Sequence, residues 1–403
     1  MNPLTPAADD QPDGSKLIAS ARSLRSYLVE ATAEIDRTRR LPETVIEKLK
    51  DAGIFNALIP KTCGGAEVQF ETFFDTLVEL GRANGSVAWT CAVLGTGAWM
   101  AATFYPEETS REMFRSDNPL TSAVLVPKTI VARRVDGGLY IEQGQWTFNS
   151  GVHHAGWNIV GIPVFGEGGR PIDLVSALVR KADLTVLDDW HSLGLKGSGS
   201  CTVAVEHLFV PDTRLVSHNK IMVEEYPSKR TSDAALYHMP VLPTVMISMI
   251  APVIGIARGA LEKFVDISKK RHIAMTFYHH QCEAAVTHLQ IAEASAKIDA
   301  ADMVLRRSIL ELEQSASKGE SLINERKARM WRDVGFAGQL IWQAVDLLAN
   351  ASGGSFARDG NPVGEAWRDI RTALSHAGLT TSTSFETYGR VAYGLPSNSP
   401  MLP

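Results

Sequence analysis

Cysteine is scarce in this chain of 403 residues, and its four copies form no pair with redox or metal-binding spacing. Cys63, Cys91, Cys201 and Cys282 stand far apart, which argues against a disulfide framework and fits reduced thiols in a cytoplasmic protein. His279-His280 with Cys282 does not amount to a metal site either, because adjacent imidazoles seldom converge on one ion. An excess of positive charge is also missing: 40 Lys and Arg stand against 45 Asp and Glu, a net charge of −5. Nothing in that balance points to nucleic acid or an anionic membrane. The N-terminus lacks the basic-then-apolar pattern of an export signal, so residues 1–15 read as a disordered lead. Long apolar runs free of helix breakers are absent too. Met239 to Ala257 nears the length of a membrane span, but Pro240, Pro243 and Pro252 interrupt it, and a buried helix is the better reading. The Gly/Ser loop Leu193 to Ser200 runs into a strand instead of a helix, which excludes a phosphate-cradling P-loop or a dinucleotide fingerprint.

What is present is a chain with a 45% hydrophobic composition, enough for a substantial core, arranged as helix, strand, helix. Leu17, Ala21, Leu24 and Leu28 recur at helical spacing, Pro42-Glu43 opens a second helix, and Phe70 to Gly81 and Ser86 to Tyr105 continue the pattern. Residues 16–117 are thus expected to form a helical domain. Between 118 and 225 the runs become β-branched or alternating: Ser122 to Val126, Thr129 to Ala132, Leu139 to Glu142, Leu174 to Val179 and Cys201 to Val210. Residues 226–403 return to helix, with long segments over Leu242 to Lys270, Cys282 to Gln314 and Leu322 to Ala351. Val286, Leu289, Ala292 and Ala296 suggest the buried face of the second.

The stretch Gln145 to Trp157 concentrates the chemistry. It reads as a strand end turning into a loop, with two Trp, two adjacent His, and a Ser and an Asn able to hydrogen-bond a polar heterocycle. Its aromatics could equally fill a core.

Four motifs in order resemble those of the acyl-CoA dehydrogenase fold. They are Pro60-Lys61-Thr62-Cys63-Gly64-Gly65, Trp146-Thr147-Phe148-Asn149-Ser150-Gly151, the Leu193 to Pro211 passage, and Trp367-Arg368-Asp369. The resemblance implies an α+β architecture: an N-terminal helical domain, a central β-barrel or sandwich, and a C-terminal four-helix bundle. Where the dehydrogenases carry a Tyr-Glu-Gly-Thr motif with the catalytic base, this sequence reads His376-Ala377-Gly378-Leu379, and Ala377 cannot abstract a proton. The remaining match is to the two-component flavin monooxygenases of the same fold, hydroxylases of phenols and indoles and their sulfur- and nitrogen-oxygenating relatives. That family implies reduced FAD or FMN from a separate NAD(P)H:flavin reductase, O2 as co-substrate, a C4a-hydroperoxide and a homotetramer. The lack of a nicotinamide fingerprint agrees with a separate reductase.

Carried onto this sequence, the resemblance implies that Ser150 bonds near flavin N5 and that His376 faces the oxygen side. Trp146, Phe148, Asn149, Ser122 and Ser198 would surround the flavin, and Arg271 would reach its phosphate across a subunit interface. His153 and Trp99 are candidates for the substrate pocket, and Phe104 and Trp157 for its aromatic walls. An acyl-CoA dehydrogenase with an atypical base, and a catalytically silent binding homologue, remain as alternatives.

Overall fold

The computed structural model describes residues 14–166, 168, 171–226 and 234–402. Most of the expected lead (1–13) and the proposed boundary near 226–233 lie largely outside them, while Gly14 and Ser15 already belong to the first helix. Among the described residues seven helices come first: α1 (Gly14–Ser23), α2 (Arg25–Glu30), α3 (Thr32–Thr38), α4 (Glu43–Asp51), α5 (Phe70–Ala83), α6 (Gly85–Phe104) and α7 (Glu107–Phe114). The stretch expected to form two helices before Leu58 is cut into four, since the chain turns at Leu24 and Ala31 without leaving helical dihedrals. Phe70, Phe73, Phe74, Leu77 and Leu80 give α5 one apolar face. Helix α6 is buried around its whole circumference, and its start is fixed by Asn84, whose side chain accepts from Val87 N at 3.0 Å.

The strands are β1 (Thr121–Val124), β2 (Thr129–Val135), β3 (Gly138–Asn149), β4 (Trp157–Phe165), β5 (Pro171–Arg180), β6 (Thr185–Leu187), β7 (Cys201–Pro211) and β8 (Leu215–Ser217). Among the described residues they make two four-stranded sheets, ordered β1-β4-β5-β8 and β2-β3-β7-β6, in which only β1 and β4 run parallel. Leu139, Ile141, Trp146, Val160, Ile162, Val179, Val203 and Val205 fill the space between the sheets as a core of their own.

After the short α8 (His218–Met222) come α9 (Val241–Ser268), α10 (Ala285–Ser317), α11 (Asn324–Ala351), α12 (Pro362–Ala373) and α13 (Thr381–Ala392). Helix α9 runs straight through the proline-punctuated segment. Pro240 caps it, Pro243 falls in the first turn where amide hydrogens have no helical partner, and only Pro252 is interior. Both α6 and α9 have the length and hydropathy of membrane spans, yet 94% and 89% of those windows are buried against protein. A Cβ on Gly81 would stand 2.5 Å from Pro252 O and one on Gly255 2.2 Å from Val78 O, so these glycines set the close crossing of α5 and α9. One apolar core therefore continues from the N-terminal helices into the bundle. On α10 the buried stripe is Ala294, Ile298, Ala301, Leu305, Ile309 and Leu312, whereas Val286 and Leu289, expected inside, are exposed. The two patterns lie on different faces, and the chain's own helices cover only one.

Candidate active site

The end of β3 decides which side chains can meet a ligand. Regular pleating would send Trp146 and Phe148 to the same face. Instead the β3–β7 register shifts between Trp146 and Asn149, and Phe148 adopts φ +67°, a left-handed conformation costly for an aromatic residue. Trp146 stays inside the sandwich, fully buried, and its Nε1 donates to Gly161 O at 2.8 Å. Phe148 swings out with 70% of its surface accessible, meeting only the edge of Trp190 at 6.3 Å between ring centroids. Asn149 turns back in. Its Nδ2 donates to Asn158 Oδ1 at 3.0 Å, and Ser122 Oγ lies 2.7 Å from its Oδ1 and also bonds Asn158 Oδ1. This polar knot staples β1, β3 and β4. Trp146, Asn149 and Ser122 have no accessible surface, so in this conformation none can touch a flavin. Their expected contacts become a supporting role beneath the loop.

Ser150 follows, and its hydroxyl meets partners from two other segments. Trp89 Nε1, from the first turns of α6, donates to Ser150 Oγ at 3.1 Å. Ser200 Oγ lies 2.7 Å from Ser150 Oγ and 2.7 Å from Ser198 Oγ. Gly151 N donates to Ser198 O at 2.9 Å, tying the two loops together. The Trp89 indole meets the His376 imidazole edge-to-face at 5.8 Å. His376 sits in the turn after α12. Gly378 N donates to its Nδ1 at 3.2 Å, which leaves the ring proton on Nε2 and that atom free to donate. His376 is exposed at the surface of this chain, and desolvation by the protein around it lowers its pKa below the ordinary histidine value.

The Gly/Ser loop carrying Ser198 and Ser200 is clamped from below. Leu195, at φ +49°, donates its N–H to Asp369 Oδ1 at 2.6 Å, and Gly197 N donates to Ser86 Oγ at 3.0 Å. Asp369 borders a small, partly open polar cavity of about 40 Å³ shared with Asp36, Lys196, Lys263, Glu365 and Arg368. Burial pushes its carboxyl up to about 7 against the pull of the Leu195 N–H, with Asp36 and Glu365 adding to the rise.

Other expected residues lie elsewhere. Trp99 is sealed in the core, its Nε1 donating to Leu236 O at 2.8 Å, so it is no pocket wall in this conformation. Its neighbour Phe104 and the cation-flanked Trp157 are buried as well. His153 packs beside Gly199 with Nε2 3.4 Å from Cys201 Sγ; burial, with Arg40 and Lys181 nearby, lowers its pKa. Arg271 is half-buried beyond the end of α9. Its NH1 donates to Ala351 O at 3.3 Å, and its NH2 occupies the space a Cβ on Gly353 would need. Sequence reasoning missed Trp89 and Ser200. Trp89 sits in a helix apolar all round, where nothing marks one aromatic from the rest, whereas the alternation of Ser198, Gly199 and Ser200 was visible and points both hydroxyls to one side.

Comparison with known proteins agrees with this geometry. The profile "Acyl-CoA dehydrogenase, N-terminal domain" matches residues 15–115, and "Acyl-CoA dehydrogenase, C-terminal domain" matches 247–381. The oxygenase subunit HsaA of a flavin-dependent monooxygenase from Rhodococcus jostii (strain RHA1) is 30% identical over 381 residues, covering 94% of this chain and 99% of that protein. The chain belongs to the flavin-dependent monooxygenases. Within that family, the oxygenase component of an FADH(2)-dependent resorcinol hydroxylase from Rhizobium sp. (strain MTP-10005) is 27% identical, with 94% of each chain covered. The solved structure of XiaF from Streptomyces sp. in complex with FADH2 and glycerol superposes with a TM-score of 0.87 at 26% identity, over 96% of this chain and 97% of that one. The monooxygenase thus has the three-part fold of its relatives, and Ser150, Ser200, Trp89 and His376 come together where the end of β3, the Gly/Ser loop, α6 and the turn after α12 meet.

Proposed function

We propose that this monooxygenase is the oxygenase component of a two-component system that hydroxylates a small aromatic or heteroaromatic substrate of the phenol or indole kind. It would draw reduced FAD or FMN from a separate reductase. The observation that carries the reading is the Ser150 hydroxyl held by Trp89 and Ser200, with the His376 imidazole packed on the same Trp89 and its Nε2 proton unspent, next to an accessible, strained Phe148 two residues before Ser150 in the chain. A flavin ring fits that set: an aromatic face to stack on, a hydroxyl for the polar edge, and a proton donor on one side. When bound, the reduced flavin supplies two electrons to dioxygen, so that one oxygen atom enters the substrate and the other leaves as water.

The protein's own residues then have separate tasks. Phe148 stacks on the ring, and Ser150 orients its N5 edge, with Ser198 behind it. His376 donates from Nε2 towards the oxygen side and takes up or returns the substrate's proton. Trp89 fixes both Ser150 and the His376 ring plane and keeps water from the reacting side. Arg271, whose described partner is a carbonyl and not a carboxylate, is suited to a flavin phosphate held together with a neighbouring copy. A homotetramer is supported by apolar side chains this chain leaves uncovered: Val286, Leu289, Met303 and Leu310 on α10, and the fully exposed Met275 and Phe277 beyond α9. A cytoplasmic location agrees with the free thiols and with a flavin-delivering partner.

The test is a coupled assay with a flavin reductase, a panel of phenols and indoles, and ¹⁸O-labelled dioxygen. A product carrying one labelled oxygen is expected from at least one phenol or indole. Consumption of dioxygen with hydrogen peroxide as the only product across the panel would overturn the substrate class, and a sizing measurement at monomer mass would overturn the tetramer.

A further inference from the structure

We infer that Ser200 is a positioning residue that lets the site accept a flavin carrying a proton on N5, through a hydroxyl relay running Ser150 to Ser200 to Ser198. This rests on the placement of flavin N5 at Ser150. The argument is one of hydrogen-bond arithmetic. A serine hydroxyl has one proton to give and two lone pairs to fill. One lone pair of Ser150 is already taken, because Trp89 Nε1 carries a fixed N–H aimed at it from 3.1 Å and can only donate. The contact of 2.7 Å between Ser150 and Ser200 holds a single proton, and it can point either way.

The direction depends on what the flavin presents. Oxidised flavin has a lone pair at N5, so Ser150 must donate to it. Its second lone pair is then filled by Ser200, and the relay runs Ser198 to Ser200 to Ser150. Reduced flavin presents N5–H, so Ser150 must accept, with Trp89 and N5 filling both lone pairs. Its own proton then has one destination, Ser200 Oγ, and Ser200 passes its proton on to Ser198 Oγ, also 2.7 Å away. All three hydroxyls are buried, so water does not substitute for a missing partner.

The loop is built to allow this. Ser198 and Ser200 are two residues apart, and Gly199 between them takes φ +53°, with the ring of His153 2.9 Å from where a Cβ would stand. Asp369 and Ser86 hold the preceding turn through Leu195 N and Gly197 N. The relay is therefore fixed in position while its protons stay free to reverse.

The consequence is asymmetric. Removing the Ser200 hydroxyl costs little with oxidised flavin, where Ser150 still accepts from Trp89 and donates to N5. With reduced flavin it strands the Ser150 proton in a buried place, which should weaken binding on the order of ten-fold. The experiment measures dissociation constants for oxidised flavin and, anaerobically, for reduced flavin, using the parent protein, Ser200→Ala, Ser150→Ala and the double variant. Expected is a loss confined to reduced flavin in Ser200→Ala, seen also as a lower midpoint potential of the bound flavin. The same substitution should have no further effect on the oxidised-to-reduced ratio once Ser150 is Ala. Equal weakening of both redox forms, or an unchanged effect in the Ser150→Ala background, would overturn the relay and leave Ser200 a merely structural residue. Should Ser200→Ala melt far below the parent, Ser200→Cys keeps the volume with a poor acceptor and must show the same asymmetry. If Ser150→Ala itself alters neither constant, the failure lies in placing N5 at Ser150.

Discussion

Trp146, Asn149 and Ser122 on one side, and Phe148, Ser150 and His376 on the other, look alike in sequence and differ completely in fate. The first group is sealed: an indole inside the sandwich and an amide–hydroxyl knot across three strands, none with surface to offer. The second differs in each member: an exposed ring, a nearly buried hydroxyl bonded to Trp89 and Ser200, and an imidazole whose Nδ1 accepts from Gly378 N. The boundary between the groups is one bulge and one left-handed residue. Backbone strain at Phe148, more than residue type, decides which of these aromatic side chains stays accessible, and the buried group packs beneath the strained residue.

The comparison breaks most visibly at Trp146. Trp146→Ala should lose about 3–5 kcal/mol of stability, from the cavity left in the sandwich core, as read by urea unfolding. Asn149→Ala comes next, because Ser122 and Asn158 lose a buried partner, and a loss of about 1–3 kcal/mol is expected by the same measurement. Phe148→Ala should leave the unfolding midpoint unchanged or slightly higher, while flavin affinity falls a few-fold to about ten-fold by titration. A large stability loss there would mean that the exposed ring is structural after all.

A smaller effect concerns pH. Burial, with His153 and Lys181 nearby, pushes His154 down to about 4, below its ordinary value, and its Nε2 is buried without a partner. The unfolded chain then binds the proton first on acidification, so stability is lost as pH falls from about 6.5 towards 4. Between pH 7 and pH 5 the parent should lose about 2 kcal/mol more than His154→Gln. Parallel curves for the two proteins would assign the acid sensitivity elsewhere.

Much of the architecture was legible because it rests on periodicity. The long helices α5, α6, α9, α10 and α11 and the main strands follow from apolar spacing and breakers. Helices α7 and α13 were not foreseen, being short and weakly patterned. Val286 and Leu289 misled, since an apolar stripe does not say whether the same chain or another copy covers it. At the candidate site, Ser150 and His376 stand out only through family resemblance, and the structure connects them through Trp89. Trp146 and Asn149 were misplaced because a strand pattern does not announce a bulge. Trp89 and Ser200 reach the site only through contacts 61 and 50 residues away in sequence, which no local pattern encodes.

The most direct test of the central claim is anaerobic mixing of the protein with reduced flavin, then with oxygen, while flavin absorbance is followed in a stopped-flow instrument. The account predicts a delay between disappearance of reduced flavin and appearance of oxidised flavin, shortened ten-fold or more in His376→Ala with the fold intact. Reoxidation at the rate of free flavin in the parent protein would contradict it.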